Sequence, residues 1–315
     1  MAGSQKDWEK KVILFKHETT EGVDAAPTSA ANALKVLNLV PTFMDADFKV
    51  RAFDKNFFGA NPGAFAAFKR GFSFDMLMHG GGAAATPPAW MIPAQIAGFG
   101  APVIAANVTL NPLTTAIKTA TMWAYIDDLL ISAIGGRMNM GFKIEDDEDP
   151  IFNFTYLGRP PVSLASQAVP TAPTITGYVD PLISSTETTT FSFGAFAAPL
   201  RRCTMSANVV LEYRSLIGPA DRVAYRNRSW SGEIVIQLPD LTAKDYFTNI
   251  RPGTTQACTI VQGTTAGNIV TISMPLLQTQ GNATITEEQG IAMLTLPVTA
   301  LPGTNGNDEI SFVTS

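Results

Sequence analysis

The sequence predicts a mainly β protein made of two similar modules in tandem, each with one short flanking helix. Three observations carry this. Apolar and polar residues alternate with period two through several short runs, as in Phe152-Asn153-Phe154-Thr155-Tyr156, which marks a strand with one buried face. Glycine, proline and acidic clusters break these runs at short intervals, as turns require. The second half then repeats the order of the first: strand, polar loop, aromatic strand, short helix, set of strands. The aromatic strands carry Phe72 and Phe74 in one half, Tyr225 and Trp230 in the other.

Composition narrows the function classes. The 315 residues are 46% hydrophobic, enough for a sizeable core. Only 16% are charged, against roughly 25% in an average globular protein, which suits a chain that hides surface in an assembly. The net charge of −5 argues against tight nucleic-acid binding, which needs a basic stripe. It leaves room for a protein that lets nucleic acid pass without sticking. Two cysteines, Cys203 and Cys258, make no disulfide framework; their separation permits one bridge, and two reduced, semi-buried thiols are the preferred reading. The N-terminus shows no long apolar signal segment, and no apolar run reaches the roughly 18–20 residues of a membrane helix.

Residues 1–30 read as an arm with a short strand over Val12 to Phe15 that docks on a neighbour or stays disordered. Apolar content rises over 33–40. Phe48, Val50 and Ala52 alternate with charges, predicting a half-buried strand, and a polar, glycine-bearing loop follows over 54–63. A second strand over 65–78 ends in Gly80-Gly81-Gly82. Residues 86–98 predict a helix with Thr86 as N-cap and Pro87 in its first turn, although Pro93 interrupts it. Three strands over 121–159 follow, with a break at Gly135-Gly136 and an acidic turn before Pro150. Proline, serine and threonine dominate 160–185, the composition of a connection. The predicted organisation is therefore an arm (1–30), a first β-domain (31–160), a linker (161–200) and a second β-domain (201–315). In the last, Met205, Ala207, Val209, Leu211 and Tyr213 share one strand face, a loop holds Gly218-Pro219, and a strand runs over 223–238. Asp240 caps a short helix closed by Pro252-Gly253, and strands complete the chain.

Candidate chemistry is sparse. Gly80-Gly81-Gly82 lacks the Lys-Ser/Thr of a phosphate loop. His17 and His79 are the only histidines, and neither has metal-site neighbours in sequence. Glu145, Asp146, Asp147, Glu148 and Asp149 lack the ligand spacing of a calcium loop and read as a solvated hairpin tip. The basic clusters are Arg201-Arg202 and Arg222, Arg226 and Arg228; they suit phosphate or carboxylates on a neighbouring subunit, and the second reading is preferred. No enzyme, cofactor or metal site is expected.

Several stretches resemble tail tube proteins (major tail proteins) of long, non-contractile-tailed bacteriophages of the siphovirus type. They are the arm segment from Phe15 and His17 through Thr28, the run from Tyr125 through Gly136, and Met138-Asn139-Met140. The strand Phe152 to Gly158, Gly290-Ile291 and Asn305-Gly306-Asn307-Asp308-Glu309-Ile310 are similar too; the long acidic run departs from the pattern. The resemblance implies β-sandwich or barrel modules whose strands join those of neighbours into an inner barrel, with rings stacking into a tube that conducts the genome at ejection. Two modules per chain imply a trimeric ring of pseudo-sixfold symmetry, the alternative being a hexamer. Implied partners are further copies of the chain, a tape measure protein, a tail terminator and transiently passing double-stranded DNA, in the virion tail after assembly in the host cytoplasm, without membrane insertion. Phe15, His17, the acidic run Glu145–Asp149, Arg222, Arg226 and Arg228 are the expected inter-ring or inter-subunit contacts. The alternative is another β-type virion assembly protein: a tail terminator, adaptor or fibre-like component.

Overall fold

The computed structural model describes residues 6–161, 165–216 and 222–315. Residues 1–5 of the arm, 162–164 of the connection and the loop at Gly218-Pro219 lie outside the described residues. The fold is mainly β, with antiparallel pairing throughout the ladders named below. The first half contains β1 (Lys11–His17), β2 (Ala33–Leu34), β3 (Leu37–Val50), β4 (Gly63–Leu77), α1 (Met91–Ala94), β5 (Val103–Ile104), β6 (Val108–Leu110), β7 (Ala120–Ile126), β8 (Leu129–Glu145) and β9 (Ile151–Arg159). There follow β10 (Ala165–Ser166), β11 (Thr189–Phe193), β12 (Leu200–Ser206), β13 (Leu211–Arg214), β14 (Arg222–Tyr225) and β15 (Ser231–Gln237). The chain ends with α2 (Phe247–Ile250), β16 (Thr255–Gln262), β17 (Val270–Thr279), β18 (Thr284–Glu288), β19 (Ile291–Ala300) and β20 (Ser311–Thr314).

The strand pairings of the two halves match. In the first, the neighbours run β1, β7, β8, β9, β4, β3. In the second they run β11, β16, β17, β19, β15, β12. A short helix follows β4 in one series and β15 in the other. The halves also join. β12 pairs with the far end of β8, Arg202 opposite Glu145 and Ser206 opposite Gly141. β20 runs between β17 and β6, so the C-terminus knits the second half to the first.

One aromatic cluster fills this seam. Phe312 of β20 lies 5.5 Å from Phe99 and Phe152, 5.7 Å from Trp90, 6.2 Å from Phe142 and 6.3 Å from Trp230, measured between ring centroids. Several of these contacts are edge-on or tilted, the geometry aromatic quadrupoles favour. The Trp90 indole donates to the His79 carbonyl at 2.8 Å, which satisfies its one buried donor. Phe152, Phe154 and Tyr156 are buried as the alternation predicts.

Several local expectations change. β8 runs straight through Gly135-Gly136, where a bulge absorbs the break: Gly135 has φ 63°, and a Cβ on Gly136 would lie 1.9 Å from the Tyr156 ring. The helix expected over 86–98 shrinks to α1 and a 3-10 turn (Gln95–Ala97), closed by Gly98 at φ 94°. Pro93 fits only because a helix this short leaves its first N–H groups unbonded anyway. Likewise α2 starts late. Asp245, rather than Asp240, accepts from the N–H groups of Phe247 (2.8 Å) and Thr248 (3.1 Å), while Asp240 closes a turn onto Thr242. The long strands expected over 204–213 and 223–238 each divide, giving β12 with β13 and β14 with β15. The linker holds β11, whose Phe191 and Phe193 are core residues. Both cysteines are free and buried, and burial pushes the Cys203 thiol up to about 12.

The arm is not loose either. β1 pairs along its whole length with β7, and Glu18 pins the chain that follows. Its carboxylate accepts from the N–H groups of Gly22 (2.8 Å) and Gly135 (2.7 Å) and from the hydroxyls of Thr119 (2.8 Å) and Thr121 (2.9 Å).

Candidate functional site

The surface that stands out is a β-hairpin. β3 and β4 pair from Leu37–Asp75 out to Val50–Gly63, and only the base of the hairpin packs in the core. Beyond it, alternation no longer sorts side chains into a buried and a solvated face, because no layer covers either face. Phe48 and Val50, expected half-buried, are exposed. Among the described residues the exposed phenylalanines are Phe43, Phe48, Phe53, Phe57, Phe58, Phe65, Phe68 and Phe247. All but Phe247 lie on this one hairpin and its tip, a concentration of apolar surface that isolated exposed residues do not explain.

The second half has the corresponding hairpin, and there it is covered. β13 and β14 extend the arms of β12 and β15 and lie over β8 and β9 of the first half. Arg137 donates to the Val223 carbonyl at 2.7 Å, and the Val209 N–H donates to Asn139 at 3.0 Å. At the base of this hairpin, Arg228 is buried against Glu309 (2.5 Å) and also donates to the carbonyls of Gly98 and Leu113, both at 3.0 Å. Tyr225 donates to the Ala97 carbonyl at 3.2 Å.

The residues singled out from sequence fall into three groups. Phe15 sits in the core on β1, its ring 5.9 Å from His17, so it has no surface to offer a neighbour. His17 is half-buried, its Nε2 2.9 Å from the Ile92 carbonyl oxygen; burial, the larger effect, lowers its pKa against that hydrogen bond. Arg228 finds its carboxylate within the chain. The acidic run does form the turn between β8 and β9. Lys143, hydrogen-bonded to Glu145, holds that carboxyl below the usual range, and Lys143 also reaches Glu148 at 2.7 Å. Arg201 lies 3.8 Å from Glu145 and 2.8 Å from Glu288. The Asp147 N–H donates to the Ser184 carbonyl at 2.9 Å, while Asp146 and Asp149 point their side chains outward. Arg226 pairs with Glu212 at 2.5 Å across the hairpin, and Arg222 is exposed on β14. Sequence reasoning placed the two strands and the loop of this hairpin but missed that it stands uncovered. Its signal was phenylalanine density: Phe53, Phe57 and Phe58 stand in or beside a glycine-bearing stretch that a solvated loop would not need.

His79 marks another point in the seam. The Gly80 N–H donates to Asn268 and the Gly82 N–H to the Gly267 carbonyl, both at 2.9 Å, while Asn268 donates to the Asp180 carbonyl at 2.9 Å. The imidazole is buried, edge-on to Tyr178, with Nδ1 2.7 Å from the Gly80 carbonyl oxygen and Nε2 unpartnered among the described residues. Lys35, 3.9 Å over the Tyr178 ring, and Asp180 are the charges facing it. Burial, the largest influence, holds its pKa below 6.5. The unfolded chain therefore takes up a proton that the folded site resists. Stability from this group is complete above about pH 6.5 and declines as the pH falls toward the lower folded value, at most about 1.4 kcal/mol per pH unit. Urea midpoints measured from pH 7.5 to 5.5 should fall less steeply for His79→Gln than for the wild type, with His17 supplying the residual slope. Equal slopes would refute the assignment.

Among the described residues no group of His, Cys, Asp or Glu side chains is placed to hold a metal ion, and no helix is long and apolar enough to cross a membrane. Compared with protein-family models and with curated proteins, the chain matches none.

Proposed function

We propose that this chain is a structural subunit of a phage tail tube, whose rings stack into a hollow conduit for double-stranded DNA. The apolar β3–β4 hairpin carries the reading: so much uncovered phenylalanine, on a chain with few charges, calls for burial by other copies. The resemblance of the arm, the β7–β8 region and the C-terminal segment to tail tube proteins supplies the type of assembly. The matching pairing orders of the two halves support the tandem-module reading, and with it a ring of three chains presenting six modules. Closing sheets around a ring also removes edge strands that a lone subunit leaves open. A net charge of −5 gives passing DNA a wall that repels more than it binds. The exposed carboxylates of the acidic turn and Arg222 remain candidates for contacts between copies.

Negative-stain microscopy of the purified protein tests this. Tubes with a regular ring repeat are expected. Discrete closed particles or thin fibres would instead support the alternative of a tail terminator, adaptor or fibre-like component. Rings with sixfold symmetry and one whole chain at each position would overturn the tandem-module reading.

A further inference from the structure

The junction between the two halves is itself a pattern, and one side of it is left open at each end of the chain. The central ladders of the halves can be laid in a common register. Met76 opposite Phe152 on β4 and β9 corresponds to Ile236 opposite Leu294 on β15 and β19. Phe152 also faces Phe142 on β8, and Leu294 faces Ile285 on β18, so Ile285 occupies the place of Phe142. On the other flank, Val40 opposite Ser73 corresponds to Thr204 opposite Glu233. Within the chain, Thr204 of β12 pairs with Lys143 of β8. The counterparts of those two residues are Val40 of β3 and Thr286 of β18, and each lies on a strand with only one partner among the described residues.

We infer that β3 of one copy pairs antiparallel with β18 of the next, in the register Val40 opposite Thr286 and Pro41 opposite Ile285, repeating between chains the β12–β8 junction made within each chain. Three further observations agree. Phe142 is 0% exposed under Trp230 and Phe312, whereas its counterpart Ile285 is 56% exposed, an apolar position still uncovered. The unpaired flank of β3 borders an open groove of about 620 Å³ beside Leu37 to Val40, so there is room for a strand. The charges also match. Lys11 lines that groove and reaches the Leu39 carbonyl at 3.4 Å, while Lys35, on the same wall, already pairs with Asp180 at 3.4 Å. In the inferred register Glu287 falls opposite Leu39, whose carbonyl Lys11 reaches. The β3–β4 hairpin would then lie over β18 and β19 of the neighbour, as β13–β14 lies over β8 and β9. Such a contact is head-to-tail, and it closes a ring when the rotation per copy allows.

This inference rests on self-assembly and takes the neighbour to be a second copy, but it does not need the assembly to be a tube. The test is disulfide cross-linking of full-length variants: Val40→Cys mixed with Thr286→Cys, and Pro41→Cys mixed with Ile285→Cys. The two pairs sample both kinds of ladder position, with facing Cα atoms expected roughly 4.5–5.5 Å apart. The native cysteines are buried and do not compete. Covalent dimers are expected only in the mixtures, together with loss of assembly in Ile285→Asp at an unchanged circular dichroism spectrum. Assemblies that form without either cross-link overturn the inference and leave the tube reading standing. Cross-links in particles that are not tubes support the inference and remove the tube reading. A chain that stays monomeric at every concentration overturns both.

Discussion

Replacing Phe312 by alanine should lower the free energy of unfolding by about 3–5 kcal/mol, the cost of emptying a large aromatic site in a close-packed core. The ring is fully buried and touches five aromatic neighbours, Trp90, Phe99, Phe142, Phe152 and Trp230, drawn from both halves. Little can collapse into the space, because each neighbour is fixed by its own strand or turn. The strand that carries Phe312 also bonds to β17 on one side and β6 on the other, so the same substitution weakens the coupling of the halves. Urea denaturation followed by tryptophan fluorescence reads both effects, since Trp90 and Trp230 line the cavity. The midpoint should fall, and the transition should broaden or divide as the halves cease to unfold together. Phe312→Leu, which keeps most of the volume, should cost much less. A loss under about 1 kcal/mol for the alanine variant would mean that the cluster does not hold the seam.

The legible part of this fold was its local periodicity. The period-two pattern in Phe152 to Tyr156 reports a face that is buried within its own half, and the structure buries it. The repeat of element order was legible for the same reason, being a property of consecutive segments. What stayed hidden depends on residues distant in sequence. Phe48 and Val50 carry the same alternation as Phe154 and Tyr156, yet no layer of this chain reaches them, and periodicity cannot say whether the covering layer belongs to the same chain. The cap of α2 was misassigned because Asp240 and Asp245 both precede apolar residues, and only the backbone geometry decides which carboxylate meets the free N–H groups. Phe15 reads as part of an arm because its partner strand, β7, lies about a hundred residues later.

Arg228 shows the same limit, and it supplies the second large effect. From sequence it belongs to a basic cluster. In the fold it is nearly buried, with side-chain exposures of 9% for Arg228 and 7% for Glu309. Its guanidinium spends its donors on Glu309, on the Gly98 and Leu113 carbonyls of the first half, and on Asn307 at 3.4 Å. Arg228→Met keeps the length of the stem but leaves the Glu309 carboxylate desolvated and the Leu113 carbonyl without its donor, while the Gly98 carbonyl keeps the Leu113 N–H at 2.7 Å; the loss is expected at about 3–5 kcal/mol. The pair itself is a different matter. Two desolvated charges repay little more than the cost of burying them, so Arg228→Met combined with Glu309→Leu should recover much of what the single change loses. A double-mutant cycle in urea measures this coupling. Equal losses for the single and double variants would mean that the hydrogen bonds to Gly98 and Leu113, rather than the ion pair, are what Arg228 contributes. Since those carbonyls belong to the first half and Arg228 to the base of the second hairpin, either result identifies which of Arg228's interactions ties that base to the first half.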